Sequence, residues 1–312
     1  MRAVLGLDTS CYTTSCALAG EEGILASERR LLEVELGKRG LQQSQAVFQH
    51  IHRLPELLEA LFARVGEIQI AGVIASSRPR DVEGSYMPVF VSGFSFARSI
   101  AAALGVPLYQ TSHQQGHIRA AMVDSGLQEK EFLALHLSGG TTEVLRVSGE
   151  QKVELLGGSS DLHTGQLVDR VGVRMGLQFP AGPELERLAR EGQAQSRMPL
   201  SHKKNEISFS GAEAQAMRML ESGESRENVA AEVYSYLTRA VAWMISMGYE
   251  RTRLPSALIS GGVASSALLR ERLPERLGRL GCPVRLHFGR PEYSGDNACG
   301  VALIGWEKHA RS

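Results

Sequence analysis

Apolar and polar positions along the chain fall into short runs whose period changes repeatedly. Residues 4–7 are apolar, Asp8-Thr9-Ser10 interrupts them with small polar side chains, and a second apolar stretch covers 15–19. That order predicts a β-hairpin with a turn rich in hydroxyls. It recurs at 132–137, Ser138-Gly139-Gly140-Thr141-Thr142 and 144–147, and self-similarity over that distance predicts a duplicated domain. Between the hairpins, Val47, Ile51, Leu54, Leu58, Leu61 and Val65 repeat at helical spacing, with Pro55 marking a kink or a fresh start. A strand at 70–75 and a helix at about 90–104, closed by Gly105, come next. After the second hairpin the pattern predicts helices near 162–177, 182–191, 211–222 and 228–247, a strand at 257–259, a helix near 265–279, a strand at 284–287 and a closing helix from about Asp296. Strand and helix alternate, so the expected fold class is α/β with helices covering the sheets.

A length of 312 residues favours two domains. The expected division is a first lobe at 1–110, with a closing helix at 296–310 that crosses back to it, and a second lobe at 111–312. Lys plus Arg and Asp plus Glu are both 34, so no overall charge draws the chain to nucleic acid or a membrane, and RNA contact requires a local patch. Lys203, Lys204, Arg251, Arg253, Arg270, Arg272, Arg276 and Arg279 are the basic candidates, although such a face is ordinarily just solvated. The apolar stretch 84–108 is broken by Arg98, and the start of the chain reaches Asp8 too soon for a signal sequence, so no membrane partner and a cytoplasmic location are expected. Cys11, Cys16, Cys282 and Cys299 lack CxxC spacing and read as reduced thiols.

Three turns follow apolar strands: Asp8-Thr9-Ser10, Ser138-Gly139-Gly140 and Ser260-Gly261-Gly262. Glycine lets backbone N–H groups approach a ligand, so together they suggest a nucleotide cleft, whereas any one alone is an ordinary tight turn. Neither a Walker A loop nor a GxGxxG fingerprint is present. His113 and His117, four apart, would share one helix face within reach of a single metal ion; two capping or surface histidines are the plain alternative. No Glu follows His113, so peptidase chemistry of the HExxH type loses support. Asp296 suits either a carboxylate ligand or a helix cap. His136 can face the cleft from its strand. Asp169 and Glu186 can accept hydrogen bonds from ribose hydroxyls, or be solvated helix positions.

With these residues laid out, the sequence resembles the transferase subunit of the tRNA N6-threonylcarbamoyladenosine synthase family, once described as O-sialoglycoprotein endopeptidase. The likeness rests on GLDTS at 6–10, SFARSIAAALGVPL at 95–108, HQQGH at 113–117, SGGTTEV at 138–144, VDRVGVRMGLQFPAGPELERLA at 168–189, SFSG at 208–211, SGGVASSALLR at 260–270 and SGDNA at 294–298. It implies two similar lobes of the actin, sugar kinase and heat-shock chaperone ATPase superfamily around a nucleotide cleft. It places metal ligands on His113, His117 and Asp296, with His136 replacing a Tyr that ligates the metal in archaeal and eukaryotic members. One divalent metal is implied, iron foremost, with zinc or manganese as other options. Substrate and nucleotide contacts fall on His136, Leu137, Ser138, Gly139, Gly140, Asp169, Gly182, Glu186, Gly261, Gly262 and Ser266, and catalytic roles on Asp8, Ser138, Gly139 and Gly140.

The reaction so implied moves a threonylcarbamoyl group from threonylcarbamoyl-AMP to N6 of adenosine 37 in tRNAs reading ANN codons. Partners so implied are tRNA, a paralogous actin-like subunit and a small ATPase. The chain departs from the family within the site. DTSCDETS, with its acidic pair, is here DTSCYTTS, with Tyr12 and Thr13. Thr141 occupies the variable position of the SGG turn, and Ser266 stands where the family has a nucleotide-contacting Asn. Arg78 to Tyr86 replace a loop rich in proline and glycine. These changes raise two alternatives: a divergent metal- and nucleotide-binding paralogue with another carbamoyl acceptor, and a non-catalytic partner of the modification complex.

Overall fold

The computed structural model describes residues 1–33, 41–149, 152–195 and 198–312. They build β1 (Arg2–Thr9), β2 (Thr13–Gly20), β3 (Gly23–Leu31), α1 (Gln43–Arg64), β4 (Gln69–Arg78), α2 (Pro88–Leu104), β5 (Leu108–Ser112) and α3 (His113–Met122). The second half of the chain follows with β6 (Phe132–Leu137), β7 (Thr142–Ser148), β8 (Lys152–Ser159), α4 (Thr164–Arg174), α5 (Gly182–Glu191), β9 (Ser201–Lys203), β10 (Glu206–Ser208), α6 (Ser210–Glu221) and α7 (Arg226–Thr252). Last come β11 (Ser256–Ser260), α8 (Ala267–Arg279), β12 (Arg285–Phe288) and α9 (Cys299–Ala310).

Two compact units result, Met1–Val123 with Glu292–Ser312, and Asp124–Pro291. The division expected after residue 110 therefore falls inside the first unit. The reason is packing: α3 lies on α9, and α9 lies on β1, β2 and β4.

The first unit holds a sheet in the order β3-β2-β1-β4-β5, with β1 antiparallel to β2 and parallel to β4. Strand alternation divides its core between two faces. Ala3, Leu5 and Leu7 pack with Leu54, Leu57 and Leu61 of α1 and with Ala97 and Ala101 of α2. Val4 and Ile74 pack with Val301 and Ile304 of α9 on the other face. Each fully buried leucine there contributes about 1.5–3 kcal/mol of transfer free energy. Helix α1 is continuous through Pro55, whose exposed position leaves the missing N–H on the solvent side.

The second unit holds a sheet in the order β12-β11-β6-β7-β8-β10-β9. Its part β8-β7-β6-β11-β12 repeats β3-β2-β1-β4-β5 in order and direction, an antiparallel hairpin beside parallel strands. Helix α7 buries most of its length in this unit's core, against Leu133, Leu135, Val144 and Ile259 among others. Among the described residues, no helix is long and apolar enough to cross a membrane, and all four cysteines are free thiols.

Candidate metal and nucleotide sites

The alternation that turns Val4 and Gly6 toward α9 continues to Asp8, which is fully buried. Its carboxylate oxygens stand 3.0 and 2.9 Å from His113 Nδ1, and Ser76 Oγ donates to Oδ1. A carboxylate only accepts, so His113 carries its proton on Nδ1 and turns Nε2 to the opposite side. Buried behind His113, the Asp8 carboxylate has both oxygens engaged by protein.

Helix α3 starts firmly. Ser112 Oγ accepts from Gln115 N at 3.2 Å while the Gln115 side chain accepts from Ser112 N at 3.0 Å. Gln115 also donates to Asp81 at 3.2 Å, and Gln114 N donates to the Pro79 carbonyl at 3.0 Å, so the charged loop after β4 is tied to this first turn. His113 opens the helix and His117 follows one turn later on the same face. Between them, Gly116 allows α9 to approach: a Cβ on Gly116 would lie 2.8 Å from Val301 Cγ2, and one on Gly300 would collide with the Gly116 carbonyl oxygen.

That crossing sets Asp296, just ahead of α9, beside both rings. His117 Nε2 is 3.1 Å from Asp296 Oδ1, His113 Nε2 is 3.6 Å from it, and the two Nε2 atoms are 3.0 Å apart. Ser10 Oγ donates to Asp296 Oδ2, leaving Oδ1 toward the imidazoles. The rings meet edge to face, with centroids 4.4 Å apart, and Phe90 flanks His113 at 5.5 Å. Asp296 does not cap α9: Ala298 holds the N-cap position, and Asn297 Oδ1 accepts from Cys299 N at 3.0 Å, which leaves the aspartate to the histidines. Burial opposes charge on His113, but the Asp8 and Asp296 carboxylates outweigh it and lift its pKa well above the ordinary imidazole value. Burial also opposes charge on Asp296, whose pKa the two histidines nevertheless hold well below the carboxylate range.

Among the described residues, His113, His117 and Asp296 form a set able to hold a metal ion. Edges of 3.0, 3.1 and 3.6 Å leave room for a centre about 2.1 Å from all three atoms. The donors fit a divalent ion of the iron, zinc or manganese type, and Asp8 behind His113 supplies the orienting contact such a ligand requires. His136 belongs to the second unit. It pairs with Glu143 and Ser260 near the end of β6, on the face opposite Leu133, Leu135 and Leu137.

The second unit gathers the remaining expected residues. Leu137 is buried at the end of β6. In the turn after it, Ser138 N donates to the Thr141 carbonyl at 2.8 Å and Gly140 N to Ser138 Oγ at 3.3 Å. Two of the three expected amide donors are thus spent within the turn, and among the described residues the Gly139 N–H alone of the three has no acceptor. Helix α4 starts behind it, with Gly165 N donating to the Ser138 carbonyl at 3.0 Å. Gly261, at φ +98°, lies so near the Leu137 carbonyl that any Cβ would clash, while Gly262 is open.

Asp169 Oδ1 accepts from Ala181 N at 2.8 Å at the start of α5, and burial raises its pKa. Glu186 Oε1 accepts from Leu268 N at 2.8 Å, and Ser266 Oγ caps α8 by accepting from Leu269 N at 3.1 Å. Tyr234, which the sequence reading missed, joins the group. It donates to the Gly182 carbonyl at 3.2 Å, and burial, assisted by Glu186, drives its pKa upward. Asp169, Gly182, Glu186, Tyr234 and Ser266 therefore share one neighbourhood, with one oxygen of each carboxylate committed to a helix start. Ser76 and Asp161 were also missed. Asp161 explains the SFSG stretch: it accepts from Ser208 and Ser210 Oγ at 2.6 Å each and from Phe209 N at 2.8 Å.

Two α/β units with matching strand order define the actin-like and sugar-kinase fold class, and solved structures agree. HypF from T. kodakarensis superimposes with a TM-score of 0.66 at 16% identity, covering 98% of this chain and 48% of that one. A ROK family glucokinase from Streptomyces griseus gives a TM-score of 0.54 at 12% identity, covering 97% and 98%. The family model for tRNA N6-adenosine threonylcarbamoyltransferase matches residues 35–303. An enzyme of that name from Thermus thermophilus is 33% identical over 100% of this chain and 94% of its own length. The chain belongs to the tRNA N6-adenosine threonylcarbamoyltransferase family.

Proposed function

We propose that the protein transfers the threonylcarbamoyl group of threonylcarbamoyl-AMP to N6 of adenosine 37 in tRNAs reading ANN codons. The observation that carries this reading is the convergence of His113, His117 and Asp296 to ligand distance, with Asp8 behind, in a member of this family. A divalent ion held by these three residues, with iron as the expected metal, would supply Lewis-acid polarisation of the acyl carbonyl. Asp8 holds the Nδ1–H of His113 so that Nε2 is the atom turned to the ion, and Ser10 keeps Asp296 turned to the same point.

In the second unit, the N–H of Gly139 and the open Gly262 backbone donate to the anionic part of the adenylate, and the free oxygens of Asp169 and Glu186 accept from ribose hydroxyls, beside Ser266. The bond from N6 to the carbamoyl carbon forms, the bond from that carbon to the phosphate oxygen breaks, AMP leaves, and N6 gives up a proton. Adenine's exocyclic amine is a weak nucleophile, so orientation carries much of the rate.

The test combines the purified chain, the paralogous actin-like subunit, the small ATPase, threonylcarbamoyl-AMP and an ANN-reading tRNA transcript. The modified nucleoside is expected, with loss of product after chelation or in His117→Ala. Absence of product with every component present overturns the reading. One observation favours the alternative of another carbamoyl acceptor: Tyr12 is half exposed and Thr13 is buried where the family carries carboxylates. Under that alternative, Tyr12→Asp with Thr13→Glu raises transfer to tRNA at least tenfold, about 1.4 kcal/mol of barrier; an unchanged rate argues against it.

A further inference from the structure

Helix α1 buries Ala46, Leu54, Leu57 and Leu61, and among them lies His50, with no exposed surface. Arg53 on the same helix reaches Glu33 and the Leu31 carbonyl. His50 instead spends both nitrogens on the hairpin of β1 and β2. Its Nε2 lies 2.9 Å from the Ser10 carbonyl oxygen, and its Nδ1 lies 2.7 Å from Thr14 Oγ1. A carbonyl only accepts, so Nε2 bears the proton, and Nδ1 of the neutral ring accepts from the Thr14 hydroxyl. Burial pushes the His50 pKa down, in keeping with a neutral ring. An apolar side chain would occupy this core position without the desolvation cost of an imidazole, so both hydrogen bonds call for a purpose beyond packing.

That purpose follows from what Ser10 holds. Its N–H donates to the Thr13 carbonyl at 3.0 Å, its own carbonyl accepts from His50, and its Oγ accepts from Thr13 N at 3.2 Å. Of the two acceptors within reach of the hydroxyl hydrogen, the Thr13 carbonyl at 3.3 Å and Asp296 Oδ2, the charged carboxylate is the nearer and takes it. We propose that His50 is a positioning residue of the metal centre: it locks Ser10, and through Ser10 it fixes Asp296 so that Oδ1 alone faces the ion. The proposal rests on the metal reading given above. It concerns a residue outside the donor set, reached through two intervening groups.

The test uses the full chain, stripped of metal and titrated with Co2+, followed by its visible absorption and by calorimetry. The variants are His50→Leu, His50→Gln, His50→Asn, Ser10→Ala and the double variant of His50→Leu with Ser10→Ala. His50→Leu and His50→Asn are expected to weaken Co2+ binding by about 10–100-fold and to alter the absorption bands. His50→Gln, whose longer amide reaches the Ser10 carbonyl, stays close to wild type. The double variant binds no more weakly than Ser10→Ala alone, because the two residues act in series. Thermal unfolding of the metal-free proteins is measured alongside, since a merely structural histidine lowers stability without changing Co2+ affinity.

Wild-type affinity and spectrum in folded His50→Leu, or additive losses in the double variant, overturn the proposal. If His50→Leu does not fold, equal affinities for His50→Gln and His50→Asn overturn it. A wild-type chain that binds no Co2+ overturns the metal reading itself, whereas loss in His117→Ala with all His50 variants unaffected overturns the role of His50 alone.

Discussion

Asp8 shows how one buried carboxylate sets the chemistry of its neighbour. With an imidazole and a hydroxyl on its oxygens, it dictates that the His113 proton sits on Nδ1. In Asp8→Asn the amide can instead donate to Nδ1, which moves the proton to Nε2, where a metal needs a lone pair. The expected result is Co2+ or Zn2+ binding weakened by about 10–100-fold in a folded protein, read by titration; unchanged affinity would refute the assignment. At this scale the sequence was informative where spacing carries geometry. A separation of four made His113 and His117 candidates and a place ahead of a helix made Asp296 one, while the family resemblance joined the three into a ligand set. Ser76 and His50 could not be read, because a hydroxyl in a strand or an imidazole on an apolar helix face looks the same whether it faces a site or a random polar neighbour.

Among the elements, the crossing of α3 and α9 is the critical contact. Gly300→Ala places a methyl group against the Gly116 carbonyl, so the helices must separate. About 1–3 kcal/mol of destabilisation is expected in denaturant unfolding, together with weaker metal binding; a variant matching wild type in both would show that the crossing tolerates the shift. A second element-level prediction concerns Asp161 at the start of α6. Partial burial would raise its pKa, but Ser208, Ser210 and the N–H groups of Phe209 and Leu162 outweigh that and hold it at about 2. A depressed carboxylate stabilises the fold above its ordinary pKa, and the contribution fades as pH falls through the folded value. The stability gap between wild type and Asp161→Asn should therefore be full above about pH 4 and close toward pH 2 in denaturant titrations; a gap independent of pH would refute it. Helical periodicity located every long helix, and alternation located the hairpins. Strands β3, β5, β8, β9 and β10 escaped because they are edge or near-edge strands, charged or only a few residues long, so no apolar alternation marks them.

On the scale of the whole molecule, the recurrence of one hairpin pattern correctly announced a duplicated architecture, while the first unit extends past residue 110 to Val123 and takes in 292–312 because α3 packs on α9. Removal of residues 292–312 takes away α9 and bares Val4, Ala17, Ala19 and Ile74. In hydrogen exchange, β1 and β4 should lose protection in that truncated chain while β6 and β11, within a unit that has its own core, keep theirs. Retained protection of β1 would show that α9 is dispensable.

The order of residues along the chain adds a consequence for synthesis. A ribosome makes both imidazoles first, then the second unit, and only after it the aspartate that joins them. A nascent polypeptide that stops within the second unit thus carries the two imidazoles without the aspartate, so the three candidate ligands come together only once that whole unit has been made.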